Sequence, residues 1–468
     1  MENSKRARSG KPRKQPRGST YVASGYVSQG LERVREAARR DKSLRFTCLL
    51  HHVTEQMLRE AYEALNPRAA PGVDGMTWKE YGQGLETRLQ ELHGRVHRGG
   101  YRAQPSKRTY IPKRDGRKRP IGIASLEDKI VQQAVVWVLQ AIYEEEFLGF
   151  SYGFRPGRSC HSALDALWVA IVQRKVNWVL DADVRGFFDA VDHRWMSRFV
   201  DRRVGDPRVL RLIGKWLKAG VSEGGQWSGT AVGTPQGATI SPLLANVYLH
   251  YVLDLWVQAW RKRCARGEVY IVRYADDFAM GFQYRRDAEA FQHALKQRMQ
   301  KFGLELNAEK TRLIEFGRFA SEDRAKRGEG KPETFEFLGF THFCSRRHKD
   351  GRFTLGRKTI AKRLGKKVKD VTWELKRRRH DPVPEQGRRV RSVVRGYYNY
   401  HAVPGNIQAL KQFRALIARG WLRALRRRSQ KGQRLTWARM QKLLETWLPR
   451  SRILHPYPDQ RLCVTNPR

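Results

Sequence analysis

Val269-Tyr270-Ile271-Val272-Arg273-Tyr274-Ala275-Asp276-Asp277-Phe278-Ala279-Met280-Gly281-Phe282 is the stretch on which the reading of this chain turns. Residues 269–274 are β-branched and aromatic and read as a strand, and 278–282 read as the return strand of a hairpin. Between them stand two adjacent carboxylates, Asp276 and Asp277, at the end of an apolar strand. Like charges so placed repel, and a bound divalent cation offsets the repulsion. A surface turn with two solvated acids would give the same letters, because Asp is common in turns. The pair therefore needs a companion.

Asp183 is the companion. It closes a second strand-like run, residues 177–184, and is followed by Arg185-Gly186-Phe187-Phe188-Asp189. Two-metal phosphoryl transfer needs carboxylates from separate strands converging on ions about 3.5–4 Å apart. Asp183, Asp276 and Asp277 can supply that set if their strands are neighbours.

The charge balance points to the substrate class. Lys and Arg total 92 against 46 Asp and Glu, a formal net charge of +46 spread along 468 residues. A surface so basic suits a polyanion, because each neutralised phosphate releases condensed counterions. The excess is not confined to one amphipathic helix, which argues for nucleic acid over a membrane surface. The five cysteines (48, 160, 264, 344 and 463) form no CxxC pair, and the histidines, His51-His52 included, have no ligand spacing with them. This speaks against a zinc knuckle or a disulfide framework and for reduced thiols. No run of about 18 apolar residues exists, and the basic N-terminus lacks an apolar segment after it, so neither a membrane span nor a signal peptide is expected.

Around this centre the chain divides. Residues 1–20 hold seven Lys/Arg and one Glu and read as a basic flexible arm. Helical patterning is expected from Leu31 to about Leu65, then a shaped loop from Asn66 to Gly75. Residues 109–123 alternate about Gly116 as a hairpin, and a helix is expected from Ser125, burying Val131, Val135, Val138, Leu139 and Ile142. The character changes near residue 355: from there to the end 30 Lys/Arg face 6 Asp/Glu, and apolar residues repeat at helical spacing (Ile360, Leu364, Val368, Val371, Leu375; Leu410, Phe413, Ile417, Trp421, Ala424). An all-helical domain with basic outer faces is the expectation. Its aromatics, Trp373, Tyr397, Tyr398, Tyr400, Trp421, Trp437 and Trp447, could pack the helices or stack on bases.

Further motifs fall in one order along the chain: Asn66–Gly75; Ile111-Pro112-Lys113 with Arg119-Pro120; Ser151-Tyr152-Gly153-Phe154-Arg155-Pro156-Gly157-Arg158-Ser159; Asp183–Asp189; Gly233-Thr234-Pro235-Gln236-Gly237 with Ile240-Ser241-Pro242-Leu243; Tyr274–Asp277; Leu306-Asn307-Ala308-Glu309-Lys310-Thr311; Phe337-Leu338-Gly339-Phe340; and Val394-Arg395-Gly396-Tyr397-Tyr398-Asn399-Tyr400. With these blocks the chain closely resembles the reverse transcriptase/maturases encoded by bacterial group II introns, from about Asn66 to the end. It resembles the form without the Cys- and His-rich HNH endonuclease domain, since no such cluster follows the last block.

The resemblance implies an α+β right-hand polymerase followed by an all-helical thumb. The expected division is a basic arm (1–30), an N-terminal extension with fingers (31–175), a palm with an antiparallel sheet (176–350), a thumb or maturase domain (355–450) and a tail (451–468). It implies two Mg2+ ions on Asp183, Asp276, Asp277 and the Val184 carbonyl. It implies that Lys113, Arg119, Phe188, Gln236 and Lys310 bind the incoming nucleotide, with the Phe188 ring leaving no room for a 2′-hydroxyl. Leu338 and Gly339 would contact the primer. Arg377, Arg378 and Arg379 stand for the RNA-binding surface of the thumb. The partners implied are structured intron RNA, an RNA template with a DNA or RNA primer, deoxynucleoside triphosphates and a possible DNA target, in the bacterial cytosol. Two rival readings are an RNA-binding splicing cofactor with a dispensable polymerase and a domesticated reverse transcriptase in repair or defence. The intact carboxylate set favours the enzyme.

Overall fold

Short runs of Val, Ile and aromatic residues form the strands that hold the site, and longer amphipathic runs wrap them. The computed structural model describes residues 29–112, 118–229, 232–234, 237–347 and 349–461. The arm up to residue 28, Lys113, Gly116, Gln236 and the tail beyond residue 461 lie outside the described residues. Helices Gln29–Arg40, Glu55–Ala64 and Leu85–His97 come first, then β1 (Ser106–Pro112) and β2 (Lys118–Ile123), and helices Leu126–Tyr143 and Cys160–Gln173. β3 (Trp178–Ala182) follows, then helices His193–Asp201 and Pro207–Lys218, β4 (Val221–Glu223) and β5 (Gln226–Ser228). Helices Ser241–Leu249 and Leu255–Arg263 lead to the hairpin β6 (Val269–Tyr274) and β7 (Asp277–Phe282), helix Arg285–Lys301 and β8 (Arg312–Glu315). β9 (Phe335–Phe337), β10 (Phe340–Arg346) and β11 (Phe353–Thr359) precede the helices Ala361–Arg377, Val383–His401, Ile407–Arg426 and Trp437–Trp447. None of the described helices is long and apolar enough to cross a membrane.

The central sheet runs β6-β7-β3-β8 and is antiparallel throughout. Strand side chains alternate between faces, so each strand feeds two cores. Leu180, Ala182, Ile271, Phe278 and Met280 join one large core that reaches from Leu31 to Leu304. Val179, Val272, Ala279 and Ile314 join a second, with helix Cys160–Gln173 and the sheet β11-β10-β9. The C-terminal helices have a third core around Leu410, Phe413, Ile417 and Trp421. This is the mixed α+β right-hand architecture with a helical C-terminal part.

Three local expectations change in detail. The helical stretch expected from Leu31 to Leu65 is two helices and a 3₁₀ turn, Leu50–His52. Asp206 accepts the Leu49 and Leu50 amides at 2.8 and 2.9 Å, and Asp41 accepts the Ser43 amide at 2.7 Å. These side-chain acceptors satisfy the backbone outside a helix, which lets the chain leave it. The helix capped by Ser125 buries nearly its whole circumference instead of one stripe, because it is sandwiched between the N-terminal helices and helix Ser241–Leu249. Helical structure begins at Ala361, after β11 has paired with β10 over residues 353–359.

One buried ion pair ties the central sheet to the helices behind it. The helix that starts at Ser241 widens into a π turn at His250–Asp254 before continuing. Asp254 there faces Arg273 of β6, with Nε to Oδ1 at 2.7 Å and both side chains fully buried. Arg273 Nη1 also donates to Asn246 Oδ1 and to the Ala275 carbonyl, both at 3.0 Å. A buried charge left without its partner keeps its desolvation cost and loses its compensation. Asp254→Asn should therefore destabilise the protein by roughly 3–5 kcal/mol. A denaturant midpoint within error of wild type would show that Arg273 is satisfied without the carboxylate.

Candidate active site

The β6–β7 hairpin turns over Ala275 and Asp276, with Tyr274 paired to Asp277. Ala275 sits at φ +57, a left-handed conformation that costs a side chain energy. Two contacts hold it there. Arg273 binds its carbonyl, as above, and Gly153 packs so closely that a Cβ would stand 2.3 Å from the Ala275 amide nitrogen. Gly153 belongs to the Ser151–Ser159 block, whose Tyr152 amide donates to the Arg273 carbonyl at 2.8 Å, and Asn246 Nδ2 donates to the Gly153 carbonyl at 2.7 Å. That block is a cradle for the acidic turn.

Register brings the third acid in. β3 pairs with β7 through Ala182↔Phe278, so Asp183, the residue that follows β3, falls beside Asp277. Beyond the strand the chain is pinned to the 304–311 segment. The Arg185 amide donates to the Glu305 carbonyl and the Asn307 amide to the Asp183 carbonyl, both at 2.8 Å. These bonds flank the Val184↔Leu306 bridge, so the carbonyl of Val184 points away from Leu306.

The electrostatics are those of crowded anions. Burial, then the charges of Asp276 and Asp183, push the Asp277 carboxyl up to about 6. Asp276 is raised by burial and by Asp183, with Arg119 and Arg273 opposing. A fourth acid takes part: Asp181 is pushed up to about 7 by burial and by Asp277 and Asp183, against Arg312. Lys310 Nζ binds Asp183 Oδ2 at 2.8 Å, and Asn307 Nδ2 approaches the same oxygen at 3.3 Å. Among the described residues no three acids, histidines or cysteines stand in metal-binding geometry. The donor set still fits a hard cation: oxygen ligands only, on neighbouring strands, with Asp276 and Asp277 raised by burial and by the charge of Asp183.

The remaining residues expected at the site distribute as follows. Arg119 is exposed on β2, and its charge reaches Asp276. Phe188 is half-buried and edge-on to Phe187, with centroids 5.4 Å apart, so part of its ring remains accessible. Leu338 and Gly339 form the two-residue turn between β9 and β10, at φ +45 and +87. Arg377 and Arg378 stand far along the chain on the thumb; Arg377 lies over the exposed Trp373 ring at 5.3 Å, and Arg378 pairs with Glu374 and Asp381 at 3.6 Å. Tyr397, Tyr398 and Trp421 are buried packing residues, while Trp373 and Trp437 are exposed. Arg379 is half-buried.

Sequence reasoning passed over Asp181, Asn246, Asp254 and Arg273. A signal was present for two of them. A charge inside an apolar strand, Arg273 in β6 or Asp181 in β3, must be paired or functional, because isolated buried charges are too costly. Their partners lie about 20 and more than 90 residues away, and no local pattern marks them.

Comparisons with known proteins agree with this geometry. Residues 111–342 match the family described as reverse transcriptase (RNA-dependent DNA polymerase). Protein YkfC of Escherichia coli K12 is 35% identical over 288 residues, covering 54% of this chain and 75% of that protein. The group II intron-encoded protein LtrA of Lactococcus lactis is 40% identical over 178 residues, 36% of this chain and 29% of the relative. Nuclear intron maturase 3 of Arabidopsis thaliana is 28% identical over 177 residues, 33% and 24% of the two lengths. The match thus spans most of the first relative and less than a third of the other two.

The raised carboxyls make a prediction for the metal-free protein. Asp277 and Asp181 hold protons to about 6 and about 7 when folded, but to only about 4 when unfolded. Between those limits the folded state binds more protons, so stability should fall as pH rises from about 4 towards 7. Asp277 opens on the cleft, and water screens part of the effect. In chelator, Asp277→Asn should flatten this fall, read as the difference in denaturant midpoint between pH 5 and pH 8. An unchanged difference would remove Asp277 from the set of raised acids.

Proposed function

The chain belongs to the reverse transcriptase (RNA-dependent DNA polymerase) family, and from that premise we propose that it copies RNA into DNA and also holds a structured group II intron RNA, assisting its splicing and mobility. The observation that carries the polymerase half is the convergence of Asp183, Asp276 and Asp277 through the register of β3, β6 and β7. Carboxylates that repel one another serve no folding purpose and suit a cation.

Asp183, Asp276, Asp277 and the Val184 carbonyl would hold two Mg2+ ions. When bound, these supply activation of the primer hydroxyl and neutralisation of charge on the triphosphate. The chain's own groups do the rest. Lys310 is withdrawn from Asp183 once that carboxylate is otherwise neutralised, and its ammonium turns to the phosphates of the incoming nucleotide. Arg119 and Lys113 of the fingers hairpin pair with the same triphosphate. The accessible edge of Phe188 closes the space that a 2′-hydroxyl would need, which selects deoxynucleotides. Gln236 borders the nucleotide, and Leu338 and Gly339 underlie the primer.

The maturase half rests on charge and on one exposed pair. Residues 355–468 carry a net +24. On this surface Arg377 over exposed Trp373 offers a cation and a stacking face together, the combination that grips unpaired bases and their phosphates. Phosphate contacts give affinity that falls steeply with salt.

Two measurements test the halves separately. Asp276→Asn should lower magnesium-dependent primer extension on an RNA template by several orders of magnitude and leave RNA affinity within a few-fold, because it removes a metal ligand and little else. Near-normal extension would sink the catalytic assignment. In a low-magnesium splicing assay with the intron that flanks the gene, wild type and Asp276→Asn should both promote splicing. Replacing Arg377, Arg378 and Arg379 by Ala should weaken it and flatten the salt dependence of binding. Splicing promoted equally by that triple variant would move the docking surface away from this end of the thumb.

A further inference from the structure

The acids sit at one end of the central sheet, and the other end carries a basic groove. β8 pairs antiparallel with β3 through Trp178↔Glu315, so the chain leaving β8 emerges beside the start of β3, opposite the end at which Asp183 follows it. The Phe316 amide donates there to the Asn177 carbonyl at 2.8 Å. Two more elements run the same way. Helix Cys160–Gln173 begins beside Tyr274, and β10 begins at the Leu338–Gly339 turn. At about 3.3 Å per strand residue and about 1.5 Å per helical residue, the 7 residues of β10 and the 14 of the helix each span roughly 20 Å.

At their far ends lies a groove of about 520 Å3, lined by Arg318, Phe319, Glu322, Arg346, Arg347 and Arg352 among its residues. Sites for one small-molecule-sized group run to roughly 300–1,000 Å3, so one nucleotide fits. Four guanidiniums face a single carboxylate in this lining. Arg346 pairs with Glu322 at 2.8 Å, but both side chains are largely in water, and such pairs neutralise little. Arg352 Nε stands 3.8 Å from Asp350. Arg318 donates to the Val172 carbonyl at 3.3 Å, and Arg347 lies over the buried Trp168 ring at 5.8 Å; among the described residues neither has a carboxylate partner. Beside these cations Phe319 leaves half its surface in water, with the Arg318 guanidinium 5.9 Å from its ring centre. This ring belongs to none of the three cores.

We propose that this groove holds an unpaired segment of RNA, one base stacked on Phe319 and the flanking phosphates held by Arg318, Arg346, Arg347 and Arg352. The inference rests on the RNA-holding polymerase reading above and adds a second hold on the RNA, on the palm and not on the thumb. Guanidinium forks match phosphate oxygens, and an exposed ring among them matches a splayed-out base. An acidic peptide would offer the anions but no flat face for the ring. RNA is the nucleic acid concerned, because an RNA-dependent polymerase must hold RNA before any DNA product exists. The groove lies too far from the acids to take the stretch being copied, so it takes a segment outside the copied duplex.

The test uses the full chain with a chain-terminated primer–template and the next deoxynucleotide already seated at the acids. The probe is a short unstructured RNA oligonucleotide carrying one 5-iodouridine, which photocrosslinks to a stacked aromatic ring. The crosslink should map to the peptide that holds Phe319, and its yield should saturate with RNA concentration. Arg346→Gln combined with Arg352→Gln should raise the half-saturating concentration about tenfold and lower its log–log salt slope by about 1.4, as loss of two single-strand phosphate contacts does. Phe319→Trp should keep the crosslink. These side chains are exposed, so the variants should melt with wild type and extend an unblocked short primer within about twofold of it. Crosslinks confined to the thumb, or a Phe319 crosslink indifferent to the arginine pair, would overturn the proposal. So would displacement of the probe by polyglutamate or by a DNA oligonucleotide at lower concentrations than by unlabelled RNA. Failure of wild type to extend the unblocked primer strikes the polymerase reading, whereas loss of the crosslink with extension intact strikes the groove alone.

Discussion

The buried pair of Arg273 and Asp254 is the constraint on which the site depends. Two full charges are taken out of water and compensate each other across the joint between the central hairpin and the helix behind it. The same guanidinium fixes the carbonyl of Ala275 and the side chain of Asn246, and Asn246 fixes Gly153. A left-handed alanine in a tight turn is therefore held by a chain of polar contacts, each buried and each satisfied by the next. Such networks are rigid because every missing member would leave another unpaired in a low-dielectric interior. The aim of Asp276 and Asp277 follows from that rigidity.

The acids so aimed form an anionic spot in a chain whose formal net charge is +46. The contrast is functional. Basic surfaces draw in phosphates without discrimination, and the acidic centre, once it holds cations, is where phosphate chemistry can occur. Around it the cations are graded by what they touch. Lys310 is bound to Asp183, Arg119 acts on Asp276 from β2, and Arg363 acts on Asp277 from helix Ala361–Arg377. Cations from β2, from the segment after helix Arg285–Lys301 and from helix Ala361–Arg377 thus bear on the same acids.

The thumb is more than a basic appendage. Its own core, built on Trp421 and its neighbours, makes it a unit, while Tyr400 and Ile360 bond directly to the turn that underlies the cleft.

Much of this was legible in the sequence. A run of β-branched and aromatic residues announced the hairpin of residues 269–282, helical spacing announced the C-terminal helices, and the order of the motif blocks announced the family. These signals are local, or are carried by runs of residues whose spacing survives without a partner. Tertiary structure alone decided the rest. Nothing near Asp254 says that it meets Arg273, nothing near Asp183 says that its strand pairs beside β7, and nothing near Gly339 says that the space it leaves belongs to Arg363. A pairing between distant segments is set by which surfaces must be buried together and which charges must then be compensated. That balance exists only once the chain has folded.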